Sequence, residues 1–114
     1  MSNIKTMGIL PGEFLISEGP GAISRDAVTV AAGPALAAGT LLGAMATGEY
    51  APYDNAGKDG AEIAVGILYA PLHESGVARH GVAIMRLAEV DGRLLTGLDA
   101  AGRDDLASHH IVIR

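Results

Sequence analysis

The sequence predicts one small domain that is mainly β with one or two short helices, an α+β chain organised by its strands. Apolar runs of strand length recur along it: Ala27 to Ala31, Thr40 to Ala46, Ile63 to Ala70, Val82 to Val90 and Ile111 to Ile113. Most of these runs are stopped by Gly, Pro or an Asp-Gly pair, the residues that end regular structure for backbone reasons. Only Leu98 to Ser108 carries apolar residues at helical spacing. At 114 residues, 49% hydrophobic and 18% charged, the chain has room for one folded domain and is too apolar to be disordered.

Residues 1–26 read as an arm preceding a β-rich domain at 27–114. Gly8, Pro11, Gly12, Gly19, Pro20 and Gly21 interrupt this stretch too often for a helix, since each Gly costs about 1 kcal/mol and each Pro about 3 kcal/mol in a helix interior. The tripeptide Phe14-Leu15-Ile16 is β-capable and holds the single Phe. It either folds back on its own domain or adds as a strand to another chain's sheet, through main-chain bonds and alternate side-chain pockets.

Ala27 to Ala31 is a strand ended by Gly33-Pro34. Thr40 to Ala46 and Glu49 to Tyr53 form a hairpin about the turn dipeptide Thr47-Gly48. The loop Asp54 to Glu62 follows, and the run Ile63 to Ala70 is stopped by Pro71. His73 to Gly81 is a polar connection. Val82 to Val90 is a strand whose Asp91-Gly92 turn returns Arg93 to Thr96 as a short partner. Asp99 is placed to cap the helix, with Leu98, Ala101, Gly102 and Leu106 on one stripe that Asp105 interrupts. Ile111 to Arg114 closes the chain as a strand. No internal repeat or linker marks a second domain.

Strict alternation in the run from Ile63 puts Ile63, Val65, Ile67 and Tyr69 on one face and Ala64, Gly66, Leu68 and Ala70 on the other. Neither face is polar, and the same holds for Leu41 to Ala46. A strand apolar on both faces is covered on both, so this chain needs either a second layer of its own or another chain against it.

The composition excludes several functions. A net charge of -5 with scattered cations argues against a nucleic-acid partner. Without Cys there are no disulfides, thiolate metal sites or Cys nucleophiles. No apolar run is long enough for a membrane span, and Pro11, Gly12 and Glu13 break the only stretch that could mimic a signal peptide. Gly57-Lys58-Asp59-Gly60 lacks the strand, helix and G-K-[ST] of a phosphate loop and reads as a turn. Asp54, Asp59 and Glu62 fail calcium-loop spacing, because Ala56 and Lys58 occupy ligand positions. His73, His80, His109 and His110 show no zinc spacing. Ser17, Ser24, Ser75 and Ser108 lack a nucleophile-elbow context, and the neighbouring Asp104 and Asp105 diverge on a helix. No cofactor is implied and no enzyme is expected.

The succession SRDAVTVAAG, AGTLLGAMATGEYAPYD, DGAE, AVGILYA and IVIR, spanning Ser24 to Arg114, resembles the head decoration protein D family of tailed bacteriophages. The resemblance implies a small β-rich, β-tulip-like domain that forms homotrimers on the outer face of the virion capsid, assembled in the host cytoplasm. Such trimers sit over local three-fold positions, bind the major capsid protein and stabilise the expanded head against packaged DNA. By position, Phe14, Leu15 and Ile16 are then the candidate capsid-contact arm. Leu42, Tyr50, Pro52, Ile67 and Tyr69 are candidate subunit contacts, and loss of residues 1–26 should leave a folded domain that no longer binds heads. The alternative from another class is a β-rich module binding carbohydrate on a larger assembly, which would have only Tyr50, Tyr53 and Tyr69 to stack on sugar.

Overall fold

The computed structural model describes residues 11–19, 21–57 and 60–114. Among them the elements are β1 (Leu15–Glu18), α1 (Gly21–Ser24), β2 (Arg25–Val30), β3 (Leu41–Ala44), β4 (Tyr50–Pro52), β5 (Ala64–Leu68), β6 (Arg79–Ile84), β7 (Ala88–Val90), a 3-10 turn (Gly92–Leu94), α2 (Ala100–Ala107) and β8 (Ile111–Ile113). The chain is mainly β, as its sequence predicts. Five strands close into a barrel in the order β2-β4-β3-β5-β6, and β1-β7-β8 form a separate three-stranded sheet.

The hairpin is present, with Leu42 opposite Pro52 and Ala44 opposite Tyr50. Its connection is longer than a dipeptide: Met45 N donates to the Glu49 carbonyl at 2.8 Å, and Gly48 takes a left-handed φ of 92°. The parallel junction of β2 with β4 rests on the single pair Val30 and Tyr50. On the other side β2 pairs with β6 along its whole length, from Arg25 opposite Ile84 to Val30 opposite Arg79.

Two apolar cores result. Val28, Val30, Leu42, Leu68, Ala83 and Met85 meet inside the barrel. Phe14, Leu41, Tyr53, Ala64, Ile67, Ile84, Ala88, Val90, Leu106 and Ile111 form the second, between the barrel wall, the small sheet and α2. Adjacent residues of β3, Leu41 and Leu42, therefore serve opposite cores, as do Ala83 and Ile84 of β6. Each fully buried aliphatic side chain contributes roughly 1.5–3 kcal/mol.

Of the two kinds of cover that the apolar middle strands require, the structure shows the first, a second layer of the chain's own. Both faces are covered by the same chain, one by the barrel interior and one by the small sheet with α2. The arrangement corrects the face assignment of β5. The register runs from Leu42 opposite Gly66 to Gly43 opposite Ala64, a bulge that inserts one residue. Alternation slips there, so Ala64 and Ile67 join one core while Val65 and Leu68 face the other.

Two further expectations differ. Val82 to Val90 is not one strand, because Leu87 adopts φ 55° and turns the chain from the barrel into the small sheet. Arg93 to Thr96 does not return as a strand; Asp91 caps the 3-10 turn by accepting from Arg93 N, and Thr96 makes only an isolated bridge to Thr40. The polar connection from His73 likewise ends early, since β6 already begins at Arg79.

Small residues set the close approaches. A Cβ on Gly43 would lie 2.6 Å from Ala61 Cα, and Gly39 combines φ 90° with a Cβ position 2.6 Å from the Leu94 carbonyl oxygen. Helix α2 is capped as expected: Asp99 Oδ1 accepts from Gly102 N at 2.7 Å.

Candidate functional site

The described part of the predicted arm is built into the domain. Gly12, at φ 69°, accepts from Leu15 N at 3.0 Å and so forms the turn that delivers Phe14 to the core. Phe14 is fully buried, and its carbonyl accepts from Asp91 N at 2.7 Å. Leu15 to Glu18 then pairs antiparallel with β7, and Arg25 and Asp26 already belong to β2. Of the boundary drawn at Asp26, residues 1–10 lie outside the described residues.

The turn at Gly12 is fastened to the barrel at Tyr69. Gly12 N donates to the Tyr69 carbonyl at 2.9 Å, and the Tyr69 ring lies where a Cβ on Gly12 would sit, 2.9 Å away. The Arg25 guanidinium stands 4.1 Å from the centre of the same ring, within cation-π range. Arg25 Nε also donates to Glu18 Oε2 at 3.0 Å, and that pairing raises the affinity of the guanidinium for its proton. Gly12, Tyr69, Arg25 and Glu18 thus form a circuit that β1 closes from one end to the other.

On the small sheet, Ser17, Glu89 and Val112 lie in one cross-strand row. Glu89 accepts from Ser17 Oγ at 2.7 Å and from Arg114 Nε at 2.8 Å, so both ends of the described chain are tied to β7. The hydrogen bond from Ser17, followed by that from Arg114, holds the Glu89 carboxyl below the usual range. Exposed large apolar side chains include Ile16, Ile23, Val82, Leu87 and Val112. Ile23 and Leu87 flank one junction, where the Leu87 carbonyl accepts from Gly19 N and from Ser24 Oγ.

The predicted contact residues divide by burial. Phe14, Leu42 and Ile67 are fully buried in the two cores and have no surface to offer a partner, which corrects their assignment as contacts. Phe14 stands in the arm by position, and Leu42 and Ile67 in apolar strands; the apolar character of all three takes them into their own domain. Leu15 packs against the core from a half-buried position, whereas Ile16, displaced by a register shift in β1, is 55% exposed. Tyr50 and Tyr69 are half-buried and Pro52 is exposed.

The candidates for chemistry are occupied by backbone. Asp54 Oδ1 accepts from Ala56 N, and Glu62 Oε1 from Gly60 N, so this loop closes on itself; Lys58 and Asp59 lie outside the described residues. Ser75 Oγ accepts from Val77 N, and Ser108 Oγ donates to the Asp105 carbonyl. Among the described residues no group of three or more His, Asp or Glu is placed to hold a metal. Asp105, which looked like an interruption of the helix stripe, accepts from Ala64 N at 3.0 Å and satisfies the first amide of β5. A carboxylate set into an apolar stripe is the sequence signal for such a bond. No comparable signal marks Gly12 or Arg25, whose partners are remote in the chain.

Residues 4–111 match the family model of the bacteriophage lambda head decoration protein D. The chain belongs to that family. No curated protein matches it. As a head decoration protein it is a structural component of a phage capsid, associated with the capsid in the virion, and its family is one of shell proteins rather than enzymes.

Proposed function

We propose that the chain is a cement protein, binding the outer surface of the expanded head as homotrimers at local three-fold positions and holding neighbouring major capsid protein subunits together. The observation that carries this reading is the family match across residues 4–111. It is supported by the way the chain enters its domain: at Pro11 and Gly12 it meets the rim of the barrel beside Tyr69, and β1 is an edge strand of its sheet. An edge strand offers main-chain donors and acceptors to a further chain.

On this reading the capsid contact is made by residues 1–10 with the exposed Ile16, and the self-contained domain acts as a clamp. Subunit contact falls to Tyr50, Pro52 and Tyr69, the members of the predicted set that keep some exposure. Strand β4 suits this role, because its junction with β2 ends at Tyr50 and leaves Pro52 beyond it. Such a contact closes as a ring when repeated by a three-fold rotation.

Cryo-imaging of expanded heads with and without the added chain tests the proposal. Extra density at the local three-fold positions, three copies to each, is the expected result. Heads unchanged by saturating protein would refute it.

A further inference from the structure

We infer that the exposed apolar residues Ile23 and Leu87, with Ile16 and Val112 beside them, form a docking face on the small sheet that seats against an apolar surface of the capsid shell. This rests on the reading of the chain as a protein that binds the outside of the head, and it extends that contact from Ile16 across the domain. Leu87 carries the argument. It is 46% exposed and belongs to neither core, yet its φ of 55° is a backbone conformation that a bulky side chain occupies only under strain. Glycine would take that conformation freely. Neither core supplies a reason for leucine at this position, and a contact with another molecule does. His110, at φ 61°, is the other non-glycine left-handed residue among those described. Its carbonyl accepts from Ala88 N, so both such positions lie at one end of the small sheet.

The surroundings define the partner that fits. The Leu87 carbonyl accepts from Gly19 N and from Ser24 Oγ, and a Cβ on Gly19 would lie 3.7 Å from Ile23 Cγ2, so Ile23 and Leu87 meet at Gly19. Two residues on from Leu87, Glu89 lies between Ser17 and Val112 in the cross-strand row, with Ile16 next to Ser17. The charges among these apolar residues are already matched. Glu89 accepts from Ser17 and Arg114, Asp26 from Arg86, and Glu18 from Arg25. An exposed apolar face whose charges are paired within the domain suits an apolar partner rather than an ionic one. That partner is the shell rather than a second copy, because the family associates with the capsid and the face runs on from Ile16, whereas the proposed subunit contact at β4 belongs to the barrel.

The experiment is a titration of undecorated expanded heads with the full chain and with Leu87→Asn, Leu87→Gly, Ile23→Ser and Val77→Ser. Thermal melts and sedimentation of each free protein accompany it. Asn and Gly both accept a left-handed backbone, so the Leu87 variants remove the apolar side chain and leave the turn. Val77 is 71% exposed in the loop before β6 and lies outside the face. The expected result is a roughly tenfold loss of affinity for both Leu87 variants and for Ile23→Ser, with melts close to the parent's and affinity kept in Val77→Ser. Parental affinity in both Leu87 variants would overturn the inference and leave the head-binding reading standing. Losses confined to variants with lowered melts, or an equal loss in Val77→Ser, would overturn it too. Altered sedimentation of the Leu87 and Ile23 variants would assign the face to contact between copies and overturn the shell as its occupant. A full chain that does not bind heads would overturn the reading on which the inference rests.

Discussion

The Tyr53 hydroxyl donates to Asp99 Oδ1 at 2.8 Å, tying the end of β4 to the N-cap of α2. The same oxygen accepts from Gly102 N at 2.7 Å, so one carboxylate both starts the helix and docks it on the barrel. Burial, then the bond to Asp99, pushes the Tyr53 hydroxyl up to about 12 from an ordinary 10.0. A raised value means that the folded state favours the neutral phenol. Its contribution to stability is complete below pH 10.0 and is lost as pH rises through about 12. Ultraviolet titration should show a late-ionising component, and Tyr53→Phe should remove it while lowering stability by about 1–3 kcal/mol. A titration without that late component would contradict the arrangement.

Asp105 closes a second helix-to-barrel link by accepting from Ala64 N. Asp105→Ala leaves that amide without its carboxylate partner and should cost about 1–3 kcal/mol in chemical denaturation. Asp105→Asn, which keeps an acceptor of similar reach, should cost less. Equal losses would mean that charge rather than the bond matters.

Truncation separates the domain from what precedes it. Removing residues 1–26 takes away Phe14, all of β1 and the first two residues of β2. That chain should not melt cooperatively, contrary to the expectation from sequence, whereas removal of residues 1–10 should leave the melt nearly unchanged. Phe14→Ala alone should cost about 3–5 kcal/mol. A cooperative, parent-like melt for the longer truncation would show that the Phe14 packing is dispensable.

Acid should weaken the fold through Glu89 and Asp26. Hydrogen bonds from Ser17 and then Arg114 lower the Glu89 carboxyl from 4.5, and the bond from Arg86 lowers Asp26 from 3.8. A lowered value gives stability that is present above the unfolded value and lost as pH falls through the folded one. Urea midpoints should therefore fall below about pH 4, and fall less in Glu89→Gln. Both groups are partly exposed, so added salt should diminish the effect. An acid limb unchanged by Glu89→Gln would exclude this source.

Assembly offers a further check. The proposed trimer should appear in sedimentation of the parent, and Pro52→Asp, which places a charge on the exposed end of β4, should sediment as a monomer with an unchanged core. A trimer as stable as the parent's would move the subunit contact elsewhere.

Much of this fold is legible in the sequence, and the parts that are not share one cause. The hairpin about Gly48, the Asp99 cap and the terminal strand at Ile111 are set by neighbouring residues, which local patterns report. The slip of alternation at Val65 depends on the register against Leu42 and Gly43, and the break at Leu87 on which sheet each half of that run joins. Both are decided by tertiary pairing. Position in the arm points to Phe14 as a contact, and apolar strands to Leu42 and Ile67; neither signal distinguishes an interface from a core, and here the core takes all three. The circuit of Gly12, Tyr69, Arg25 and Glu18 joins residues with no local signature at all.

The most direct test of the cementing role is the release of DNA from packaged heads on heating, measured with and without saturating amounts of the chain. Decorated heads should keep their DNA to a distinctly higher temperature than bare ones, and a chain lacking residues 1–10 should give no protection. Identical release temperatures for bare and saturated heads would contradict the role.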